Sequence, residues 1–81
     1  MDNADLYERV LTICRENNQA VPDDPEVLLI DSGLIDSFGA FMIMSSLEIE
    51  YDIEITDDDM KYDNFKNISS IVALVTRLTS S

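Results

Sequence analysis

The sequence predicts a small all-α protein: a four-helix bundle with a long loop between its first and second helices and a short third helix. Three observations carry this. Apolar residues recur at steps of three and four over 4–17, 37–51 and 68–79, the spacing that gathers side chains on one face of a helix. A shorter pattern over 57–65 adds one more element. No pair of alternating apolar and polar runs flanks a tight turn, so nothing signals a hairpin. Eighty-one residues bound a single domain, 1–81. A chain of this size buries only about 60–65% of its unfolded surface, which argues against an elaborate active-site cavity.

In the first helix, Leu6, Tyr7, Val10, Leu11, Ile13 and Cys14 form a wide apolar stripe, with Glu8, Arg9, Arg15 and Glu16 mainly outside it. Asn3 or Asp5 can begin this helix, and Asn17-Asn18 end it. Cys14 lies within the stripe and reads as core filler rather than as a reactive thiol. Residues 18–36 form a long connection, in which Pro22 and Pro25 discourage helix and Asp23-Asp24 suits a turn. The apolar run Val27-Leu28-Leu29-Ile30 is short and has no strand partner, so it is expected to pin the loop to the core.

The second helix, 37–51, repeats Phe38, Phe41, Met44, Leu47 and Tyr51 along one line, which is expected to face the core. Met42, Ile43 and Ile49 fall off that line. They belong either to a wider buried stripe or to an exposed apolar strip of the kind that marks a contact surface. Gly39 costs the helix about 1 kcal/mol relative to alanine, and a close approach by a cofactor or partner would explain it.

The segment 52–59 is acidic, with Asp52, Glu54, Asp57, Asp58 and Asp59, and Ile53 and Ile55 are expected to anchor it. A calcium loop needs glycine at its sixth position and glutamate at its twelfth. Counted from Asp52, those positions hold Asp57 and Asp63, so no metal site is assigned. Thr56 can cap the short third helix, 57–65, whose acidic first turn complements the helix dipole. Asn67 or Ser69 can cap the last helix, 68–79. Its stripe is Ile68, Ile71, Val72, Leu74, Val75 and Leu78, and Thr79-Ser80-Ser81 are expected to fray.

Five Lys and Arg against seventeen Asp and Glu give a net charge of −12. Such a chain repels phosphate backbones and attracts basic protein surfaces, so nucleic acid is not an expected partner. The absence of histidine removes the usual general base and the commonest metal ligand. With no paired nucleophile and base and no phosphate-cradling glycine loop, the residues do not suggest an enzyme. Cys14 alone cannot form an internal disulfide, which suits a reducing compartment. No apolar run is long enough to span a membrane, and the acidic N-terminus lacks a basic signal region. A cytoplasmic monomer is expected.

One stretch remains, Asp31-Ser32-Gly33-Leu34-Ile35-Asp36-Ser37-Phe38-Gly39. Ser37 stands where the second helix should begin. It reads either as an N-cap or as an exposed hydroxyl at a loop–helix junction, open to enzymatic modification.

The block Gly33-Leu34-Ile35-Asp36-Ser37-Phe38, followed by Leu47-Glu48-Ile49-Glu50-Tyr51-Asp52-Ile53-Glu54-Ile55, resembles the acyl carrier protein and peptidyl carrier protein family. The resemblance implies that Ser37 carries a 4′-phosphopantetheine arm, installed from coenzyme A by a phosphopantetheinyl transferase, and that Asp36 helps to position it. A loading enzyme would then charge the arm with an acyl or aminoacyl group as a thioester, and downstream acyl-transfer enzymes would receive it. The family also has a long loop after its first helix, delivering the serine. Phe38 replaces the commoner leucine, and it is expected to anchor the junction from beneath. Fatty-acid carriers usually place acids along the exposed side of the second helix. Here Gly39 and Met42 stand at such positions, Glu48 is kept and Ile49 lies beyond.

The expected docking residues are therefore Phe38, Gly39, Met42, Ile43, Glu48 and Ile49. The departures favour a dedicated aminoacyl, D-alanyl-like or secondary-metabolite carrier over a fatty-acid or polyketide carrier. Outside that class, the competing reading is an acidic helical adaptor with no prosthetic group, in which Ser37 is only a cap.

Overall fold

The computed structural model describes residues 3–79, and the expected fraying of Ser80 and Ser81 lies outside the described residues. Four α-helices and no strand occur among them: α1 (Asn3–Asn17), α2 (Ser37–Tyr51), α3 (Tyr62–Phe65) and α4 (Ile68–Thr79). A single 3-10 turn, Asp57–Asp59, precedes α3. The segment 57–65 read as one short helix is thus two pieces, broken at Met60-Lys61.

The core forms where the helical stripes meet. Leu6, Val10, Ile13 and Cys14 of α1 pack with Leu47 of α2 and with Ile68, Ile71, Leu74 and Val75 of α4 in one buried cluster. Burial pushes the Cys14 thiol up to about 12, so at neutral pH it stays protonated and acts as a small apolar side chain.

Residues 18–36 are irregular yet fixed at several points. Val21, Leu29 and Ile35 are buried, while Leu28 points outward. The Leu29 N–H donates to the Lys66 carbonyl at 2.8 Å, and the Ser69 N–H donates to the Pro25 carbonyl at 3.1 Å. These bonds tie the loop to the start of α4. Gly33 adopts φ of 83°, a left-handed conformation that costs glycine little. Its N–H donates to the Ile30 carbonyl, and the chain then turns into α2.

Each later helix start has a local cause. The Asn67 side-chain oxygen accepts the Ser70 N–H at 2.8 Å, and the Ser70 hydroxyl oxygen accepts the Asn67 N–H at 3.1 Å. This reciprocal pair satisfies two of the free donors at the start of α4. The Thr56 N–H and hydroxyl both donate to the Asp59 carboxylate, closing the acidic turn on itself. At the end of α2, Asp52 takes φ of 52°, and the Ile53 N–H reaches back to the Glu48 carbonyl. That left-handed ending is a common helix terminator.

Candidate functional site

The junction between the long loop and α2 is held by Asp36. Its Oδ1 accepts the Gly39 N–H at 2.6 Å, and its extended backbone is that of an N-cap residue. Ser37 is therefore the first residue inside α2 and not its cap, which corrects the capping reading of Ser37. Its side chain is exposed, and no hydrogen-bond partner holds it among the described residues.

Gly39 is buried against the end of α1. A Cβ there would lie 3.0 Å from Ile35 Cγ2, 3.2 Å from Asp36 Oδ1 and 3.4 Å from Asn17 Oδ1. The glycine permits close approach of neighbouring protein atoms rather than of a partner, so its assignment as a docking residue is corrected.

Around α2, apolar residues occupy both sides. Ala40, Ile43, Met44 and Leu47 are buried. Phe38 is 66% exposed, Phe41 59%, Met42 46% and Ile49 85%. At about 100° per residue, these four fall within a strip about 100° wide on the opposite side. The expected core line through Phe38 and Phe41 is thus overturned, and Phe38 does not anchor the junction from beneath. Ile43, expected at the docking surface, is 1% exposed and belongs to the core. Met42 and Ile49 stand in the exposed strip, and Phe41 joins them as a residue the sequence reading had sent inward. Its signal was present in its position three residues after Phe38 and one before Met42.

Glu48 is half-buried, and its Oε2 accepts the Ile55 N–H at 2.8 Å. It braces the loop after α2 in addition to bordering the strip.

The residues at the junction fit a phosphopantetheine group in chemistry. The Ser37 hydroxyl is exposed and uncommitted. It sits in the first turn of a helix, where unpaired N–H groups and the helix dipole favour a phosphodiester. The carboxylate of Asp36, next to Ser37 in the chain, already accepts a backbone N–H. Among the described residues no three of the acidic and cysteine side chains come together as a metal site.

A protein-family profile described as "Phosphopantetheine attachment site" matches residues 5–75. A D-alanyl carrier protein from Staphylococcus saprophyticus subsp. saprophyticus is 30% identical over 78 residues, covering 96% of this chain and 99% of that protein. A D-alanyl carrier protein from Bacillus velezensis is 27% identical over 74 residues, covering 91% of this chain and 92% of that protein. Proteins of this kind hold a covalently attached 4′-phosphopantetheine and in general carry cargo rather than catalyse. The all-helical bundle, the uncommitted hydroxyl at its loop–helix junction and these matches together establish that the chain belongs to the phosphopantetheine-dependent carrier protein family.

Proposed function

We propose that Ser37 is the attachment point of the arm and that the chain carries a small aminoacyl group of the D-alanyl type. The observation that carries the first part is the division of roles at the junction. Asp36 satisfies the helix end, which leaves the Ser37 hydroxyl exposed and free. Once attached, the arm supplies a terminal thiol on which cargo is held as a thioester. The chain's own part is to present that arm and to offer a contact surface.

Small cargo is supported by the bundle interior. Leu29, Ile35, Ala40, Ile43, Met44 and Ile71 pack together with no space for a water molecule between them. A long acyl chain would have to displace well-packed side chains there, whereas an alanyl group need not enter. The names of the two relatives point the same way.

Phe38, Phe41, Met42 and Ile49 form the docking strip for the transferase and for the loading and acyl-transfer enzymes. Asp36 acts through the shape of the junction. The surrounding charge of −12 favours partners with basic surfaces and speeds encounter at low salt. The chain works as a single-domain monomer in the cytoplasm, where coenzyme A is available, and catalyses no step itself. No helix among the described residues is long and apolar enough to cross a membrane.

Intact mass tests the proposal after incubation with coenzyme A, magnesium and a broad-specificity phosphopantetheinyl transferase. Wild type should gain one phosphopantetheine and Ser37→Ala none. The loaded form, offered D-alanine, L-alanine and a fatty acid with the matching adenylating enzymes, should take D-alanine in preference. A folded wild-type chain that gains no mass, beside a control carrier that does, would favour the adaptor reading.

A further inference from the structure

A groove of about 440 Å³ runs from the end of α1 to the first two turns of α2, within the roughly 300–1,000 Å³ typical of small-molecule sites. Asp36 and Phe38, the residues on either side of Ser37, both line it. Asn17, Leu34, Gly39 and Met42 line it as well. We propose that this groove is a resting site for the arm, with Asn17 as its polar contact and Phe38 and Met42 as its apolar contacts. The inference rests on Ser37 being the attachment point.

The lining matches the chemistry of the occupant. A phosphopantetheine arm alternates short hydrocarbon segments with two amides. The groove offers apolar side chains beside one side-chain amide able both to donate and to accept. The neighbouring Asn18 is already committed, because its Nδ2 donates to the Leu34 carbonyl at 2.8 Å and its Oδ1 accepts the Ala20 N–H at 2.9 Å. Asn17 has no such bond among the described residues, and its Oδ1 faces the bare Cα of Gly39. A Cβ at residue 39 would meet Ile35, Asp36 and Asn17. The alternative seat, between α2 and α3, is shut by the packing around Ile43 and Phe65.

The test compares the apo and loaded 81-residue chain by nuclear magnetic resonance, with loading verified by mass. Arm attachment should shift the Asn17 side-chain amide, the Gly39 N–H and the Met42 methyl, and arm protons should show contacts to Phe38 and Met42. Asn17→Ala, at an exposed position outside the docking strip, should load normally yet weaken the contacts of the arm to Phe38 and Met42. Full loading with shifts confined to Ser37 and its chain neighbours, or with contacts to Met60 and Phe65, would overturn the groove alone. No gain of mass would overturn the groove and the attachment point together.

Discussion

The Asp36 carboxylate accepts the Gly39 N–H at 2.6 Å, three residues along the chain. One residue thus secures the start of α2, and its neighbour Ser37 is left without a structural duty. An N-cap must lie just outside the helix with an extended backbone, and Asp36 has that geometry.

Stability should follow this division. Asp36→Ala should lower stability by about 1 kcal/mol, or about 4–8 °C in Tm for a domain of this size, and Asp36→Asn or Asp36→Ser should restore most of it. Ser37→Ala should stay within about 0.5 kcal/mol of wild type, as expected for a surface position without a partner. Thermal unfolding followed by circular dichroism reads both. A Ser37→Ala loss as large as that of Asp36→Ala would show that Ser37 shares the cap.

Gly39→Ala sets two effects against each other. Alanine is the better helix former by about 1 kcal/mol, but its Cβ would press on Ile35 at 3.0 Å. Ile35 is buried in the core and cannot move aside freely. Overpacking of this kind typically costs about 1–3 kcal/mol, so the net outcome should be a loss of about 1 kcal/mol. Denaturant unfolding measures it, and a gain in stability would mean that the loop before α2 yields more easily than its packing implies.

Much of this was legible in the chain. The bounds of α2 and α4 and the carrier resemblance follow from spacing and from Gly33 to Phe38. The inner face of α2 was not. That helix carries Phe38, Phe41, Met42 and Ile49 on one side and Ala40, Ile43, Met44 and Leu47 on the other. Two apolar stripes leave periodicity nothing to choose between, and the larger aromatics drew the core line to the wrong side. Tertiary contact decides the matter, because Ile43 and Leu47 meet α1 and α4 in one cluster. The bonds from Leu29 to Lys66 and from Ser69 to Pro25 were hidden for another reason, since they join residues far apart in sequence through backbone atoms.

The two sides of α2 should respond differently to truncation. Ile43→Ala removes a fully buried side chain and should cost about 2–4 kcal/mol. Ile49→Ala removes an exposed one and should change stability by less than about 0.5 kcal/mol. Urea titration separates them, and equal losses would place Ile49 in a buried environment as well.

Tyr62 of α3 donates its hydroxyl to Asp31 of the long loop at 2.7 Å, and its ring meets Phe65 edge-on. The hydrogen bond to Asp31 is the main cause that raises the Tyr62 pKa, with partial desolvation and the Asp31 charge adding to it. The folded chain therefore holds the neutral phenol more firmly than the unfolded chain does. This contribution to stability is fully present below the ordinary tyrosine value of about 10 and is lost as pH rises through the higher folded value. Absorbance titration of the phenolate should lose its latest-titrating component in Tyr62→Phe, apart from that of Tyr51, which is raised chiefly by burial. Asp31→Ala should return Tyr62 toward its ordinary value, because it removes both the hydrogen bond, the main cause, and the Asp31 charge. Above pH 10, wild type should lose stability more steeply than Tyr62→Phe. Parallel pH profiles for the two proteins would mean that the Tyr62–Asp31 bond does not tie α3 to the loop in solution.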